Sequence, residues 1–153
     1  MSDILAMEKS KKPKSPSKTQ RIEPSDFVEL YALWLAAGLE LVSPKQEQRD
    51  FENILSLEPA GCLKIMEHGK IVAAVLGAYN GRRAWIYHLA VHPDYQKKQY
   101  GSKLLHAAEQ ALIHCGAPKI LLGVSVDNTE VVSFYKKNGY TMMNETIVMS
   151  KIV

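Results

Sequence analysis

The stretch His92-Pro93-Asp94-Tyr95-Gln96-Lys97-Lys98-Gln99-Tyr100-Gly101-Ser102-Lys103 runs from a polar, basic loop into an apolar-periodic helix. A loop that turns into a helix aims several backbone N–H groups and a positive helix end at one point, and such a point binds phosphate. Lys97 and Lys98 add positive charge, and Gly101 lets the backbone approach a pyrophosphate with no Cβ in the way. The same residues also suit an ordinary basic turn that caps a helix. A second segment, 127–140, carries Asn128, Phe134 and Tyr135 behind an apolar run. Asp127 with Glu130 three residues later fits a helix N-cap, and Phe134 and Tyr135 fit a core, so this segment alone assigns no chemistry. There is no GxxxxGK[ST] and no GxGxxG after a first strand, which removes the commonest nucleotide-binding readings. His88 and His92 stand four apart, but in a predicted strand beside a proline and without a carboxylate or cysteine cluster, so no metal site is expected.

These segments need positioning elements. The ordered domain is expected from about Gln20, with a short edge strand through Ile22 ending at Pro24. Ser25 can cap a first helix whose stripe is Phe27, Leu30, Tyr31, Trp34 and Leu35, stopped by Gly38. A more polar helix fits 45–57, burying Phe51, Ile54 and Leu55. Three strands follow at 62–67, 71–79 and 83–92, joined by His68-Gly69-Lys70 and by Asn80-Gly81, where both turn positions are expected at positive φ. A helix over 101–115 leads to an apolar run at 120–126 that reads as a strand buried on both faces, parallel to its neighbour through a right-handed crossover. A last helix lies between Asn128 and Asn138, before a hairpin-like pair at 140–143 and 146–152.

The 153 residues are 46% hydrophobic, enough for one sizeable core, and contain no run of the roughly 18 apolar residues that a membrane span needs. The N-terminus does not read as a signal peptide, and the two cysteines, Cys62 and Cys115, fit a reducing compartment, so a cytoplasmic protein is expected. The net charge of +3 is uneven: Met1 to Arg21 holds six basic residues against Asp3 and Glu8. Residues 1–19 are therefore expected as a disordered basic leader, and 20–153 as the domain.

In this order and spacing the segments resemble the GNAT superfamily of acetyl-CoA-dependent N-acetyltransferases, over nearly everything from Gln20 to Val153. Gly77-Ala78-Tyr79-Asn80-Gly81-Arg82 and Leu89-Ala90-Val91-His92-Pro93 look closest to a small, loosely annotated bacterial branch. The resemblance implies an α/β fold: a twisted mixed sheet, antiparallel at first and parallel at the crossover, with helices on both faces. It implies acetyl-CoA as cosubstrate, its pyrophosphate cradled by the amides of a Q/R-x-x-G-x-G/A loop. Here that loop is Gln96, Lys97, Lys98, Gln99, Tyr100, Gly101 and Ser102, with Gln99 where the family usually has its first glycine. If that position takes positive φ, a side chain there costs of order 1 kcal/mol or more; a helical φ would remove the cost. The backbone of Leu89, Ala90 and Val91 would pair with the pantetheine and polarise the thioester carbonyl, and strand 122–126 would splay away to leave a slot. Asn128 would contact the pantetheine or anchor the backbone, Phe134 would pack beside the cofactor, and Tyr135 would act as general acid to the leaving thiolate.

The base is the least determined part. His88 on the central strand, Glu40 after the first helix, or a water chain could take the amine proton; His88 also suits a hydrogen-bonded core position and Glu40 a surface charge. Acceptor recognition is expected from 38–43, the second helix, Tyr79 and Arg82, the last able to bind a carboxylate bidentately or to be an exposed turn residue. Trp34 and Trp85 read as core. The expected activity is acetyl transfer to a primary amine of a small molecule or peptide, with a homodimer in keeping with the family, no membrane partner, and nucleic acid disfavoured. Two rivals stand: a noncatalytic CoA-binding or regulatory module, and a ribosome- or RNA-associated protein that uses the leader.

Overall fold

The computed structural model describes residues 17–57 and 59–153. The basic leader therefore lies, up to residue 16, outside the described residues, and Thr19 already belongs to a strand. The described residues fall into two compact units, one running to Ile120 and the other from Leu121 to Val153.

In the first unit, β1 (Thr19–Arg21), β2 (Leu63–Glu67), β3 (Lys70–Tyr79) and β4 (Ala84–Val91) form an antiparallel meander. The two-residue β5 (Ile120–Leu121) completes a mixed sheet of order β1-β2-β3-β4-β5. Helix α1 (Phe27–Ala36) begins at Asp26 after a 3-10 turn over Pro24–Asp26, so Ser25 is not its cap; the Asp26 carboxylate instead accepts from Glu23 N–H at 2.7 Å. Helix α2 (Pro44–Ser56) starts one residue earlier than expected, because the Ser43 hydroxyl accepts from Gln46 N–H and Pro44 suits the first helical position. Helix α3 spans Tyr100–His114.

Neighbouring residues of β3 show where these helices pack. Leu76 joins Leu30, Leu33 and Trp34 of α1 and Phe51 of α2 in one cluster. A Cβ built on the adjacent Gly77 would meet Leu112 of α3 at 3.1 Å and the Gly61 carbonyl at 2.9 Å. Since side chains alternate along a strand, α1 and α2 cover one face of the sheet and α3 the other.

The turns exchange the conformations expected of them. His68 (φ 50°) and Gly69 (φ 73°) make the two-residue hairpin turn with positive φ at both positions. At the next hairpin only Gly81 is positive; Asn80 Oδ1 accepts from both Arg82 and Arg83 N–H, which lengthens the link to 80–83.

The second unit is built on α4 (Thr129–Lys137). Its cap is Asn128, whose Oδ1 accepts from Val131 N–H, so the Asp127 and Glu130 pair does not cap it. The strand expected at 120–126 stops after Leu121: Gly123 offers no side chain to pack, and Asn128 N–H turns back onto the Ser125 carbonyl at 3.0 Å. Residues 122–126 therefore provide no splayed strand, and the pair expected at 140–152 is irregular chain, leaving that segment without a ladder. No helix among the described residues is long and apolar enough to cross a membrane.

Candidate active site

Strand β4 joins two chemically distinct places in the first unit. Beyond its C-terminal end, His92 Nδ1 accepts from Asp94 N–H and caps a 3-10 turn over Pro93–Tyr95. Gln96 is extended and its amide nitrogen donates to the Val91 carbonyl at 3.4 Å, which ties the loop back to β4. Lys97 (φ 62°) and Gln99 (φ 63°, ψ 18°) are both left-handed. Gln99 thus adopts the conformation in which a non-glycine residue is strained, and the helical alternative does not apply. It sits at the N-cap of α3 without any side-chain cap bond, so the first-turn amides of Tyr100, Gly101 and Ser102 keep the unpaired donors that every helix start presents.

The side chains around this point brace the loop. Tyr100 donates to the Glu67 carboxylate at the end of β2 and also meets the Ser17 hydroxyl. The hydrogen bond to Glu67 is the main reason its phenol is pushed above the ordinary tyrosine value. Lys98 lies 5.0 Å over the Tyr95 ring and 4.0 Å from Glu67, and Lys97 is exposed. An uncapped helix start, two left-handed residues and two lysines form a donor set that fits a pyrophosphate.

Within β4 the register slips: Ala74 of β3 faces Ala90, but Leu76 faces Tyr87, so His88 and Leu89 oppose the single residue Val75. This is a β-bulge, and His88 carries φ 48°. In a regular strand Tyr87 and His88 would point to opposite faces; here both line one cavity of about 430 Å³ on the α1 and α2 side. His88 Nε2 lies 2.9 Å from the Glu47 carboxylate of α2, and its ring meets Trp34 edge-on at 4.7 Å. The other Glu47 oxygen accepts from Val42 N–H at 2.9 Å, and the side chain is only 7% exposed. On the opposite side β5 has two residues, so among the described residues no strand runs beside Leu89–Val91 there.

The sequence-expected residues are distributed unevenly. His88 lines the cavity, as do Val42 from the 38–43 loop and several residues of α2. Glu40 is exposed and does not line it. Tyr79 does not line it either, and spends its hydroxyl on the Gly81 carbonyl; Arg82 is exposed at the hairpin, away from the lining. Trp34 and Trp85, read as core, both face the cavity, although Trp34 is also fully buried. Leu89 completes the bulge, and Ala90 and Val91 occupy the end of β4 beyond it. His88 and His92 serve different partners, and no group of three or more potential metal ligands occurs among the described residues.

In the second unit Asn128 anchors the first turn of α4, and Phe134 packs edge-on against Tyr135 at 5.2 Å. Tyr135 also meets Tyr140 at 5.5 Å, and burial pushes its phenol up to about 12. Sequence reasoning missed Glu47, although the signal was present: Glu47, Phe51 and Ile54 share the i, i+4, i+7 stripe that α2 turns inward. A carboxylate on an apolar stripe needs a partner, and that partner is His88.

The acetyltransferase (GNAT) family model matches residues 27–140. An acetyltransferase of Sodalis glossinidius is 35% identical over 127 residues, 82% of this chain and 88% of that protein. Among solved structures, Ard1 from Thermoplasma volcanium superposes with a TM-score of 0.74 at 21% identity, covering 84% of this chain and 85% of the other. The NatB acetyltransferase complex, solved bound to CoA and MES, superposes with a TM-score of 0.73 at 21% identity, covering 84% and 86%.

Proposed function

The chain belongs to the acetyltransferase (GNAT) family and is an acetyl-CoA-dependent N-acetyltransferase; we propose that it acetylates a primary amine by direct attack in a ternary complex, with the amine entering the cavity that holds His88. The observation that carries this reading is the bulge, which sets His88 against Glu47 immediately before the Leu89–Val91 backbone.

In this reading acetyl-CoA supplies the acyl group and a thiolate leaving group. The amides of 99–102, with Lys97 and Lys98, hold its pyrophosphate, and the backbone of Leu89–Val91 pairs with the pantetheine and donates to the developing oxyanion. With Nε2 against the Glu47 carboxylate, the neutral imidazole carries its proton on Nε2 and its lone pair on Nδ1. Nδ1 takes the proton that the amine loses as the C–N bond forms and the C–S bond breaks. Glu47 is a positioning residue: it fixes the tautomer and balances the imidazolium. Glu40, exposed in its loop, has no part in this scheme.

By the family resemblance Asn128 and Phe134 support the cofactor, and Tyr135 is the acid to the departing sulfur. A phenol near 12 is neutral throughout any practical assay, so it is always a donor. Outright transfer to a thiolate of pKa about 8.5 runs roughly three-thousandfold uphill, so Tyr135 acts mainly through its hydrogen bond while the C–S bond breaks.

The test is CoA thiol release with a panel of primary amines. Release that depends on the acceptor, and that His88→Ala lowers about a hundredfold or more with acetyl-CoA affinity retained, is the expected result. Saturable CoA binding without acceptor-dependent release from any amine would replace this reading by a noncatalytic CoA-binding module.

A further inference from the structure

The chemistry of the cavity wall narrows the acceptor. We infer that the cavity between α2 and the β3–β4 face takes a cationic amine with an apolar or aromatic body and no carboxylate beside the amine. This inference deepens the acetyltransferase reading and rests on it.

Among the described residues, the charged side chains in the wall are Glu47 and Asp50, with His88 as the titratable base, and no lysine or arginine lines it. Glu47 is nearly buried, its carboxylate held through both oxygens by Val42 N–H and His88. Asp50, one turn along α2, is exposed and stands where the cavity meets solvent. Primary amines arrive largely as ammonium ions, so this wall attracts them; one proton is lost to solvent before attack, and His88 takes the second as the C–N bond forms. A carboxylate next to the amine would enter a wall that carries Glu47 and Asp50 and, among the described residues, no lysine or arginine. Arg82, the side chain best suited to such a carboxylate, lies outside the lining.

The rest of the wall fits an apolar body. Trp85 and Tyr87 project from one face of β4 with rings 6.4 Å apart and within 16° of parallel, and Phe51 and Ile54 face them from α2. Aromatic faces of this kind attract both apolar groups and cations. Trp34, fully buried in the same wall, has an indole N–H without a hydrogen-bond partner among the described residues.

The chain has two tryptophans, and both line this cavity, so intrinsic fluorescence reads its occupancy without any turnover. Phenethylamine, phenylalanine and 2-phenylethanol are titrated into the full-length protein, and CoA release is followed separately with the two amines. Phenethylamine should perturb the fluorescence saturably and bind roughly tenfold or more tighter than phenylalanine. Asp50→Asn should weaken phenethylamine about two- to fivefold and leave phenylethanol unchanged. Equal or tighter binding of phenylalanine, no saturable signal with either amine, or indifference of phenethylamine to Asp50→Asn overturns the inference. Saturable binding without CoA release keeps the cavity assignment and overturns the acetyl-transfer reading; CoA release without the fluorescence response does the reverse.

Discussion

Replacing Gln99 by glycine should stabilise the protein, although it removes a side chain and adds none. Gln99 stands at φ 63° and ψ 18°, makes no cap bond and is exposed, so its side chain contributes no contact that the substitution would lose. A left-handed backbone costs an L-residue about 1–2 kcal/mol, and glycine removes that cost. Glycine also loosens the unfolded chain, which returns about 0.4–1 kcal/mol of the gain. The net is about 0.5–1 kcal/mol, or roughly 1–4 °C in Tm for a chain of this length. Thermal unfolding of the unliganded protein measures it, with Gln99→Val as the opposite control, because a β-branched residue fits the left-handed region worse than glutamine. The strain also bounds the effect on the cofactor: relief of about 1 kcal/mol can tighten acetyl-CoA by at most about fivefold in a calorimetric titration. Lys97→Gly separates the two contributions, since it relieves the same strain at φ 62° but removes a charge from the loop. It should raise Tm in the same way while weakening acetyl-CoA. A lower Tm for Gln99→Gly, or equal stability of the glycine and valine variants, refutes the reasoning.

Gly77→Ala should lower Tm by roughly 3–10 °C, because its Cβ would stand 2.9 Å from the Gly61 carbonyl, whereas Gly123→Ala, with open space around its Cβ, should not lower it. Tyr135→Phe should lower kcat about a hundredfold with little change in acetyl-CoA affinity, measured by steady-state kinetics and calorimetry. Because burial raises the Tyr135 phenol to about 12, the donor form persists upward in pH, and the wild-type rate should show no descending limb from this group between about pH 9 and about pH 10.5. Burial likewise pushes the Cys62 thiol up to about 11, leaving roughly one molecule in a thousand as thiolate at about pH 8; a thiol reagent should label Cys115 in the native protein and both cysteines only after unfolding.

What the sequence made legible was what repeats along it or concentrates in one stretch. The helix bounds, the meander and the basic loop before α3 were read within a residue or two, because periodicity and local composition set them, although in α1 Leu33 is buried and Leu35, placed on the stripe, is exposed. The bulge at His88 was not legible. It arises from a mismatch between two strands, and nothing in Trp-Ile-Tyr-His-Leu-Ala says where the register must slip. The same limit hid the cavity wall: Glu47 and His88 are 41 residues apart, and only the packing of α2 on β4 joins them. Glu40 and Arg82 stand in exposed loops outside the cavity lining, and sequence does not report on which side of a loop a residue falls. The run 120–126 misled in the opposite way: its apolar composition suits a buried strand, yet Gly123 and the turn from Ser125 end the strand after Leu121.

The distribution of backbone strain connects the two places that β4 joins. Four described non-glycine residues take positive φ; one, His68, serves a hairpin turn, and the other three are His88, Lys97 and Gln99. Each of those three costs stability that a different local sequence would avoid, and none closes a tight hairpin. His88 strains to turn its ring toward Glu47 and the cavity, while Lys97 and Gln99 strain to turn backbone donors outward at the start of α3. Between them lie the three residues Leu89–Val91, whose backbone the proposed reaction uses directly. A carbonyl held on that backbone would have the base on one side and the pyrophosphate anchor on the other, both oriented by rigid backbone before any ligand arrives. Strain placed in this way is preorganisation, and it implies that relieving it at His88 differs in kind from relieving it at Gln99. Glycine at 99 preserves the donors and should leave turnover intact, whereas any substitution that lets β4 run straight through 88 returns that side chain to the opposite face and separates the base from its cavity.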